Sequence, residues 1–300
     1  MAQVQANGIT IEYESFGPKD RETVLLIMGL GGQLTMWQTE LCHELVARGY
    51  RAIRFDNRDV GLSTKFDAAG MPDMAAIFGA LMTGKKPDAP YSLDDMAADA
   101  VGLLDALEID RAHIVGASMG GMIAQLVVAN HPARALSLTS IMSTTGNPAL
   151  PQAKPEVMTM LMTPAPTDLE GAIQRGVKMW QMIGSPGFPT DEKILREWVT
   201  RDVKRSAYPV GVARQMAAIV SNGDRREKLK GIRVPAVVLH GDADPLVPVD
   251  GGRDTAASIP GAELRIVPGM GHDFPIALVG TFADAITAAT TRAAASKAAE

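Results

Sequence analysis

The sequence contains very little cysteine, and Cys42 is the only one among its 300 residues. A single cysteine permits neither an intramolecular disulfide nor a cluster of thiolate metal ligands. This scarcity fits a reducing compartment, and we expect the protein in the cytoplasm.

The sequence also lacks an excess of positive charge, because 29 Lys and Arg residues stand against 34 Asp and Glu residues, a net charge of −5. Nucleic-acid binding requires a basic footprint, so we expect no nucleic-acid partner. No run approaches eighteen apolar residues, and the first residues do not resemble a signal peptide. We therefore expect a soluble protein with no membrane partner, and the composition is compatible with a homo-oligomer.

Hydrophobic residues make up 46% of the chain, which is enough to bury a large core. The first residues alternate apolar and polar side chains around Asn7-Gly8, a pair typical of a tight hairpin turn. Short apolar runs then predict strands over 24–28, 52–55, 112–115, 136–142, 236–239 and 264–267. Helical periodicity between them predicts helices over 35–47, 93–107, 120–130, 251–258 and 276–289.

Strands that are apolar on both faces and alternate with helices indicate a parallel sheet covered on both sides. The alternation stops between residues 144 and 226, where helical patterns cover 169–183, 192–204 and 210–220 and no strand is convincing. We therefore predict an α/β core over 1–143 and 227–300, with a helical cap (lid) over 144–226. A second stretch, 65–90, is expected to be irregular.

The strongest motif is Gly-Ala-Ser-Met-Gly at 116–120, directly after an apolar strand and before a helical run. A serine on a sharp strand-to-helix turn adopts a strained backbone, and glycine neighbours let strand and helix pack closely around it. A turn of this composition also arises for packing alone. The position between strand and helix favours the interpretation of Ser118 as a nucleophile.

A serine hydroxyl needs a base, and the base needs an orienting group. Three of the five histidines lie in or beside predicted elements, and His240 ends a strand, where a structural role is expected. His272 lies in a glycine loop after the last strand, where an imidazole can swing. For the acid, Asp242 and Asp244 both follow the strand 236–239, and either could be a turn residue.

Together these motifs resemble the α/β-hydrolase fold over nearly the whole chain. The resemblance includes the serine motif, Met-Gly-Leu-Gly-Gly at 28–32, the segment 54–63, His-Gly-Asp-Ala-Asp at 240–244 and Gly-Met-Gly-His at 269–272. Among members of the family, the chain is most similar to bacterial carboxylesterases and methylesterases. The chain order Ser, Asp, His also matches this fold.

The resemblance implies a catalytic triad of Ser118, Asp244 and His272, with Asp244 preferred because Pro245 follows it in the family's loop pattern. It also implies that the backbone N–H groups of Leu30 and Met119 form the oxyanion hole. Family members often carry histidine where this chain has Met28, which leaves the backbone donor intact but removes that side chain's bracing of the loop.

Other polar residues of the motifs are assigned structural roles. Arg58 and Asp59 are interpreted as fixing the turn after their strand by ionic hydrogen bonds. In the cap, Met162, Trp180 and Met182 are candidates for the wall of a substrate pocket. We find no metal-ligand spacing, phosphate-binding loop or dinucleotide fingerprint, and so expect neither a metal nor a cofactor.

The sequence thus predicts a serine hydrolase that cleaves small to medium apolar carboxylic esters through an acyl-enzyme. Alternatives with the same residues are a carbon–carbon bond hydrolase and a perhydrolase of this fold. A third alternative, from a different class, is a small-molecule receptor that keeps the triad but turns over slowly.

Overall fold

The structure, a computed structural model, describes residues 1–163 and 166–299 and contains an eight-stranded, mostly parallel sheet. Its strands are β1 Ala2–Ala6, β2 Ile9–Phe16, β3 Thr23–Ile27, β4 Arg51–Phe55, β5 Ala112–Ala117, β6 Ala135–Ile141, β7 Ala236–Gly241 and β8 Glu263–Val267. The order across the sheet is β1-β2-β4-β3-β5-β6-β7-β8. Only β2 runs antiparallel to its neighbours β1 and β4, so the parallel part predicted from the sequence is confirmed.

The predicted hairpin joins β1 to β2. Asn7 and Gly8 have φ angles of 50° and 78°, and Ala6 pairs with Ile9 across the turn. Positive φ at both central residues defines a type I′ turn, whose twist matches that of the strands. The Asn-Gly pair is therefore the local cause of the hairpin.

Eleven α-helices are present among the described residues. They are α1 Thr39–Ala47, α2 Met74–Met82, α3 Leu93–Ala106, α4 Met119–Asn130, α5 Pro155–Met162, α6 Leu169–Ile183, α7 Glu192–Arg205, α8 Pro209–Asn222, α9 Arg226–Leu229, α10 Val249–Ser258 and α11 Val279–Ala299. Within the described ranges, none of them combines the length and the apolar character that a bilayer-spanning helix needs.

The sheet separates two apolar cores, because successive residues of each strand point to opposite faces. On β3, Leu25 and Ile27 pack into the core beneath α3 and α4, whereas Val24 and Leu26 pack into the core beneath α1 and α11. All four side chains are fully buried. Burial on both faces explains why the strands appear in the sequence as continuous apolar runs.

Helices α5 to α8 lie between β6 and β7, in the segment predicted as the cap, and its described residues contain no strand. Two ion pairs with buried carboxylates join this segment to the loop after β4. Arg205 Nη1 lies 2.8 Å from Asp56 Oδ2, and Arg214 Nε lies 2.7 Å from Asp59 Oδ2. The cap is therefore fastened to the core by charged groups and not only by apolar contact.

The loop after β4 is also fastened to α3. Arg58 forms two hydrogen bonds to Asp99 of α3, at 2.6 and 2.7 Å. Asp59 accepts the N–H of Phe66 in its own turn as well as binding Arg214. The interpretation of Arg58 and Asp59 as turn-fixing residues was therefore too narrow, because their charges reach α3 and the cap.

Replacing Arg214 by methionine is expected to lower the free energy of unfolding by about 3–5 kcal/mol, because Asp59 would remain buried without its partner. Both side chains of the pair are fully buried. Urea unfolding measures the loss. The control is Arg226→Met, which breaks the solvent-exposed pair with Asp224 and should change stability little. Equal losses of unfolding free energy in the two variants would contradict the inference that the buried Asp59 depends on Arg214.

The same pair contributes a pH dependence. Burial alone would raise the pKa of Asp59, but hydrogen bonds from Arg214 and the Phe66 N–H lower it by more, so that its pKa lies below the ordinary value. A carboxyl with a lowered folded-state pKa stabilises the fold above its unfolded pKa, and this contribution is lost as the pH falls through the folded pKa. In Arg214→Met, the free energy of unfolding should therefore fall less steeply as the pH is lowered through this range.

Candidate active site

Ser118 lies on a sharp turn between β5 and α4, with φ 56° and ψ −122°. The turn is possible because glycines stand two residues before and two residues after Ser118. A side chain at Gly116 would collide with the Gly120 carbonyl, and one at Gly120 would collide with the Ile27 carbonyl. The glycines of the motif are therefore required for the close packing of strand, helix and loop.

The left-handed backbone of Ser118 is held by hydrogen bonds to β6 and to the residues that follow β6, as well as to the first turn of α4. Its N–H donates to the Ile141 carbonyl of β6 at 2.9 Å, and the Ser143 hydroxyl donates to its carbonyl at 2.8 Å. A non-glycine residue in such a conformation costs about 1–3 kcal/mol and persists where its surroundings fix it. These hydrogen bonds hold Ser118, which is partly exposed, at the carboxyl edge of the sheet.

Asp244 and His272 lie in direct contact on the loops after β7 and β8. His272 Nδ1 is 2.6 Å from Asp244 Oδ2, and both side chains are buried. The other oxygen, Oδ1, accepts the N–H groups of Leu246 at 2.9 Å and Val247 at 2.8 Å. With its proton on Nδ1, His272 has Nε2 free to act as a base.

The surroundings of Asp244 favour its ionised form. Burial alone would raise its pKa, but the charge of His272 and hydrogen bonds from His240 and His272 lower it by more. The pKa of Asp244 therefore lies well below the usual range of an aspartate. His240 Nε2 lies 2.8 Å from the Val247 carbonyl and 3.5 Å from Asp244 Oδ2, so His240 supports the acid loop from behind.

Asp242, the other candidate for the acid, does not contact His272. It is exposed, and its Oδ1 accepts the N–H of Gly269 at 2.7 Å. Gly269 has φ 74° and begins the loop that carries the histidine. Asp242 therefore holds the start of the histidine loop, a role that its position in the sequence does not distinguish from that of the acid.

The histidine loop is attached to a cap segment, residues 183–187, which we call the strap. The His272 N–H donates to the Ile183 carbonyl at 2.7 Å, and the Gly187 N–H donates to the Gly269 carbonyl at 2.9 Å. These backbone hydrogen bonds to the strap hold the backbone that carries the imidazole. That the imidazole itself can swing stays a prediction.

Ser185 makes the central side-chain contact of the strap. Its hydroxyl donates to Asp273 Oδ1 at 2.5 Å and accepts the Gly271 N–H at 2.8 Å. Burial raises the pKa of Asp273, although the hydrogen bonds from Ser185 oppose this shift. Sequence reasoning missed Ser185, because nothing nearby in the sequence links it to the histidine loop.

The Met-Gly-Leu-Gly-Gly segment forms a turn beside the nucleophile. The Gly32 N–H donates to the Gly29 carbonyl at 3.1 Å, and a Cβ at Gly29 would lie 3.0 Å from Ser118 Cβ. Among the described residues, the N–H groups of Leu30 and Met119 donate to no protein acceptor. Both predicted oxyanion donors are therefore available to a ligand.

Groups distant in sequence brace this turn in the absence of the family's histidine. Asn57 Nδ2 donates to the Met28 carbonyl at 2.9 Å, and Asp56 Oδ1 accepts the Leu34 N–H at 2.7 Å. The side chain of Gln215 in α8 accepts the Gly31 N–H at 2.9 Å. Side-chain bracing is thus present, but it comes from the loop after β4 and from the cap.

The structure brings the three predicted triad residues to one edge of the sheet. Ser118 follows β5, Asp244 follows β7 and His272 follows β8, and the carboxyl ends of these parallel strands share an edge. In the part of the chain that the structure describes, no hydrogen bond joins Ser118 to His272. Such contacts often tighten only when substrate binds.

Two of the three predicted substrate residues border a cleft of about 380 Å³, whose lining contains sequence neighbours of Asp244 and His272 but none of the three triad residues. Trp180 and Met182 form part of its cap side, and Ala243, Pro245 and Asp273 form its core side. Trp180 also packs against the cap's own apolar cluster. Met162 is 49% exposed at the end of α5 and lies outside this lining, so its role stays a prediction. The residues that the structure describes contain no cluster of potential metal ligands.

Solved structures share this architecture. A meta-cleavage product hydrolase from Pseudomonas fluorescens superposes with a TM-score of 0.75 at 18% identity, covering 98% of both chains. An enol-lactonase from Burkholderia xenovorans superposes with a TM-score of 0.73 at 21% identity, covering 97% of this chain and 100% of the other. At these identities the likeness shows the fold alone.

Sequence comparison extends the likeness. The rhodomycin D methylesterase of Streptomyces peucetius is 30% identical over 95% of this chain and 96% of its own length. The family model described as alpha/beta hydrolase fold matches residues 22–276. The chain belongs to the α/β-hydrolase family.

Proposed function

We propose that the protein hydrolyses small to medium apolar carboxylic esters through an acyl-enzyme on Ser118. The observation that carries the proposal is the buried 2.6 Å contact between His272 and Asp244 at the edge that also carries the serine turn. The protein is a carboxylic ester hydrolase, and its methylesterase relative supports this class of reaction.

Acylation begins with attack of Ser118 Oγ on the ester carbonyl while His272 Nε2 takes the hydroxyl proton. Asp244 stabilises the imidazolium through Nδ1. The N–H groups of Leu30 and Met119 bind the negative oxygen of the tetrahedral intermediate. When the intermediate collapses, the bond to the alcohol breaks, and the alcohol leaves with the proton from His272.

Deacylation repeats these steps with water. His272 takes a proton from water while the water oxygen attacks the acyl carbonyl. The same two N–H groups bind the oxyanion of the second tetrahedral intermediate. Collapse breaks the bond to Ser118 Oγ, which recovers the proton from His272. The carboxylic acid is released, and the enzyme is regenerated.

The alternative chemistries use the same residues. A solved structure with this fold is named a meta-cleavage product hydrolase, but its 18% identity shows the fold alone. The methylesterase relative covers nearly the whole chain at higher identity, which favours the ester. Parallel assays for diketone cleavage and peracid formation separate these reactions from ester hydrolysis. One equivalent of product followed by almost no further turnover would instead favour the slow-turnover small-molecule receptor.

The substrate class is inferred from the cap. Among the cap residues that line the cleft, Val157, Trp180, Met182 and Leu195 are apolar, and they stand beside the polar Lys154, Glu156 and Gln181. Methionine adapts to ligands of different shape. Each methylene buried in the pocket adds about 0.8 kcal/mol of binding, so kcat/KM should rise with acyl length until the enclosed space is filled. We expect a broad optimum at short to medium chains, measured with p-nitrophenyl acetate, butyrate, octanoate and palmitate.

The matched control is p-nitrophenyl hemisuccinate, which has the acyl length of the butyrate but a free carboxylate. We expect it to be a poorer substrate than the butyrate, because burying an unpaired carboxylate is unfavourable. A steady rise in kcat/KM through palmitate, or a preference for the hemisuccinate, would contradict an enclosed apolar pocket.

The proposed partner is a small-molecule ester. We expect neither nucleic acid nor a membrane as partner, because the net charge is −5 and the sequence contains no basic block. A cytoplasmic location rests on the single cysteine, Cys42, and stays a prediction. Assembly into a homo-oligomer is compatible with the proposed function.

A further inference from the structure

A buried glutamine of the cap contacts the turn that carries the proposed oxyanion donor Leu30. Gln215 lies on α8 and is fully buried. Its Oε1 accepts the Gly31 N–H at 2.9 Å, and its Nε2 donates to the Arg58 carbonyl at 2.8 Å. One side chain thus connects three segments: the cap, the turn at 29–32 and the loop after β4.

The conformation of the turn depends on the peptide that Gln215 holds. Gly31, the third residue of the turn, has φ 65°, whereas Leu30 is not among the residues with positive φ. A positive φ at the third position alone defines a type II turn, and a type I turn has a negative φ there. The two forms differ by rotation of the Leu30–Gly31 peptide, whose N–H is the group that Gln215 accepts.

Helix α8 is fixed closely enough to impose this choice. Arg214, next to Gln215, forms two hydrogen bonds to Asp59, at 2.7 and 2.8 Å. A Cβ at Gly31 would lie 3.0 Å from the Val212 side chain, so α8 packs directly against the turn. The helix therefore holds the side-chain oxygen of Gln215, Oε1, at a defined place.

We propose that Gln215 is a positioning residue, through which the docked cap holds the Leu30 N–H in place for the oxyanion. This inference rests on the proposed function. Gln215 does not touch the reacting atoms. It fixes the neighbouring peptide, and preorganised donors contribute more to catalysis than donors that must reorient during the reaction.

The test is Gln215→Met, which keeps the length of the side chain and removes both hydrogen bonds. Loss of a complete oxyanion donor typically lowers kcat by 10²–10³, so a loosened donor should lower it by about 10–100-fold. We expect little change in KM, because the oxyanion forms only after binding. Affinity for a trifluoromethyl ketone inhibitor, whose adduct carries an oxyanion, should fall by a similar factor to kcat/KM.

The matched control is Thr35→Val, which removes one hydrogen bond between the cap and the core without touching Gly31. The Thr35 hydroxyl donates to Asp202 Oδ1 at 2.7 Å. Its kcat should stay close to wild type. If Gln215→Met behaves like Thr35→Val, or changes only KM, the proposed role of Gln215 is wrong.

Amide hydrogen exchange in the wild-type protein gives a test that does not depend on the stability of a variant. The Gly31 N–H should be protected by Gln215, whereas the Leu30 N–H should exchange faster. Equal exchange of the two would also overturn the proposal. Ser118→Ala, assayed in parallel, separates the two failures, since its full activity would refute the proposed function itself.

Discussion

Ser118→Ala is expected to lower kcat for ester hydrolysis by about 10⁶ if chemistry limits the rate, and to leave the fold intact. The reason is that, in the proposed mechanism, Ser118 Oγ forms the bond to the acyl group, and the rest of the triad does not act independently of it. The turn between β5 and α4 remains compatible with alanine, because the backbone hydrogen bonds of residue 118 do not involve its side chain. Steady-state kinetics with p-nitrophenyl butyrate measure the loss.

The control for this prediction is Ser258→Ala. Ser258 lies on α10, where its hydroxyl donates to the Asp254 carbonyl at 2.7 Å, and its removal should leave kcat unchanged. An organophosphonate should label wild type once, at Ser118, and should not label Ser118→Ala. Activity of Ser118→Ala near the wild-type rate would refute the mechanism.

Asp244→Asn is expected to lower kcat by about 10⁴ and leave a residual rate. The asparagine keeps the size of the side chain, but it cannot stabilise the imidazolium and can favour the wrong tautomer of His272. The 2.6 Å contact to His272 Nδ1 and the lowered pKa of Asp244 both indicate a charged partner for the histidine. Kinetics with the same ester measure the effect.

Asp242→Asn is the matched control, since it makes the same chemical change two residues earlier. The amide oxygen of asparagine can still accept the Gly269 N–H that Asp242 Oδ1 accepts at 2.7 Å. We expect a small loss of kcat. A greater loss in Asp242→Asn than in Asp244→Asn would mean that the acid has been misassigned.

Much of the fold could be predicted because its signals are local. Six apolar runs correspond to β3 to β8, and Asn7-Gly8 fixes the hairpin of β1 and β2. The helical patterns at 93–107, 120–130 and 169–183 match α3, α4 and α6 within one residue at each end. In each case the spacing of the apolar residues within the element itself is enough to predict the element.

Three local predictions of secondary structure were wrong or incomplete. The helix expected from residue 35 is a 3₁₀ turn, Leu34–Met36, followed by α1 from Thr39. Helix α2 lies in the stretch expected to be irregular. Its sequence is apolar on all sides, so it has no amphipathic pattern, although the Asp73 side chain caps its first turn. Helix α5 was also missed, and it is a short segment rich in methionine.

The site was predictable where its chemistry lies in one motif, and not where it depends on the cap. The serine turn and the loops of Asp244 and His272 carry their own glycines and polar residues. Gln215 lies 184 residues from Gly31, and Ser185 lies 88 residues from Asp273. No periodicity or spacing in a single sequence connects such pairs, because tertiary folding alone brings them together.

Trapping of the acyl-enzyme tests the central claim most directly. Wild-type protein is mixed with p-nitrophenyl butyrate, quenched in acid within the first turnovers and digested for mass spectrometry. We expect a butyryl group on the peptide that contains Ser118 and on no other peptide, with the adduct absent from Ser118→Ala. A butyryl group on a different residue, or rapid turnover with no adduct at any quench time, would contradict it.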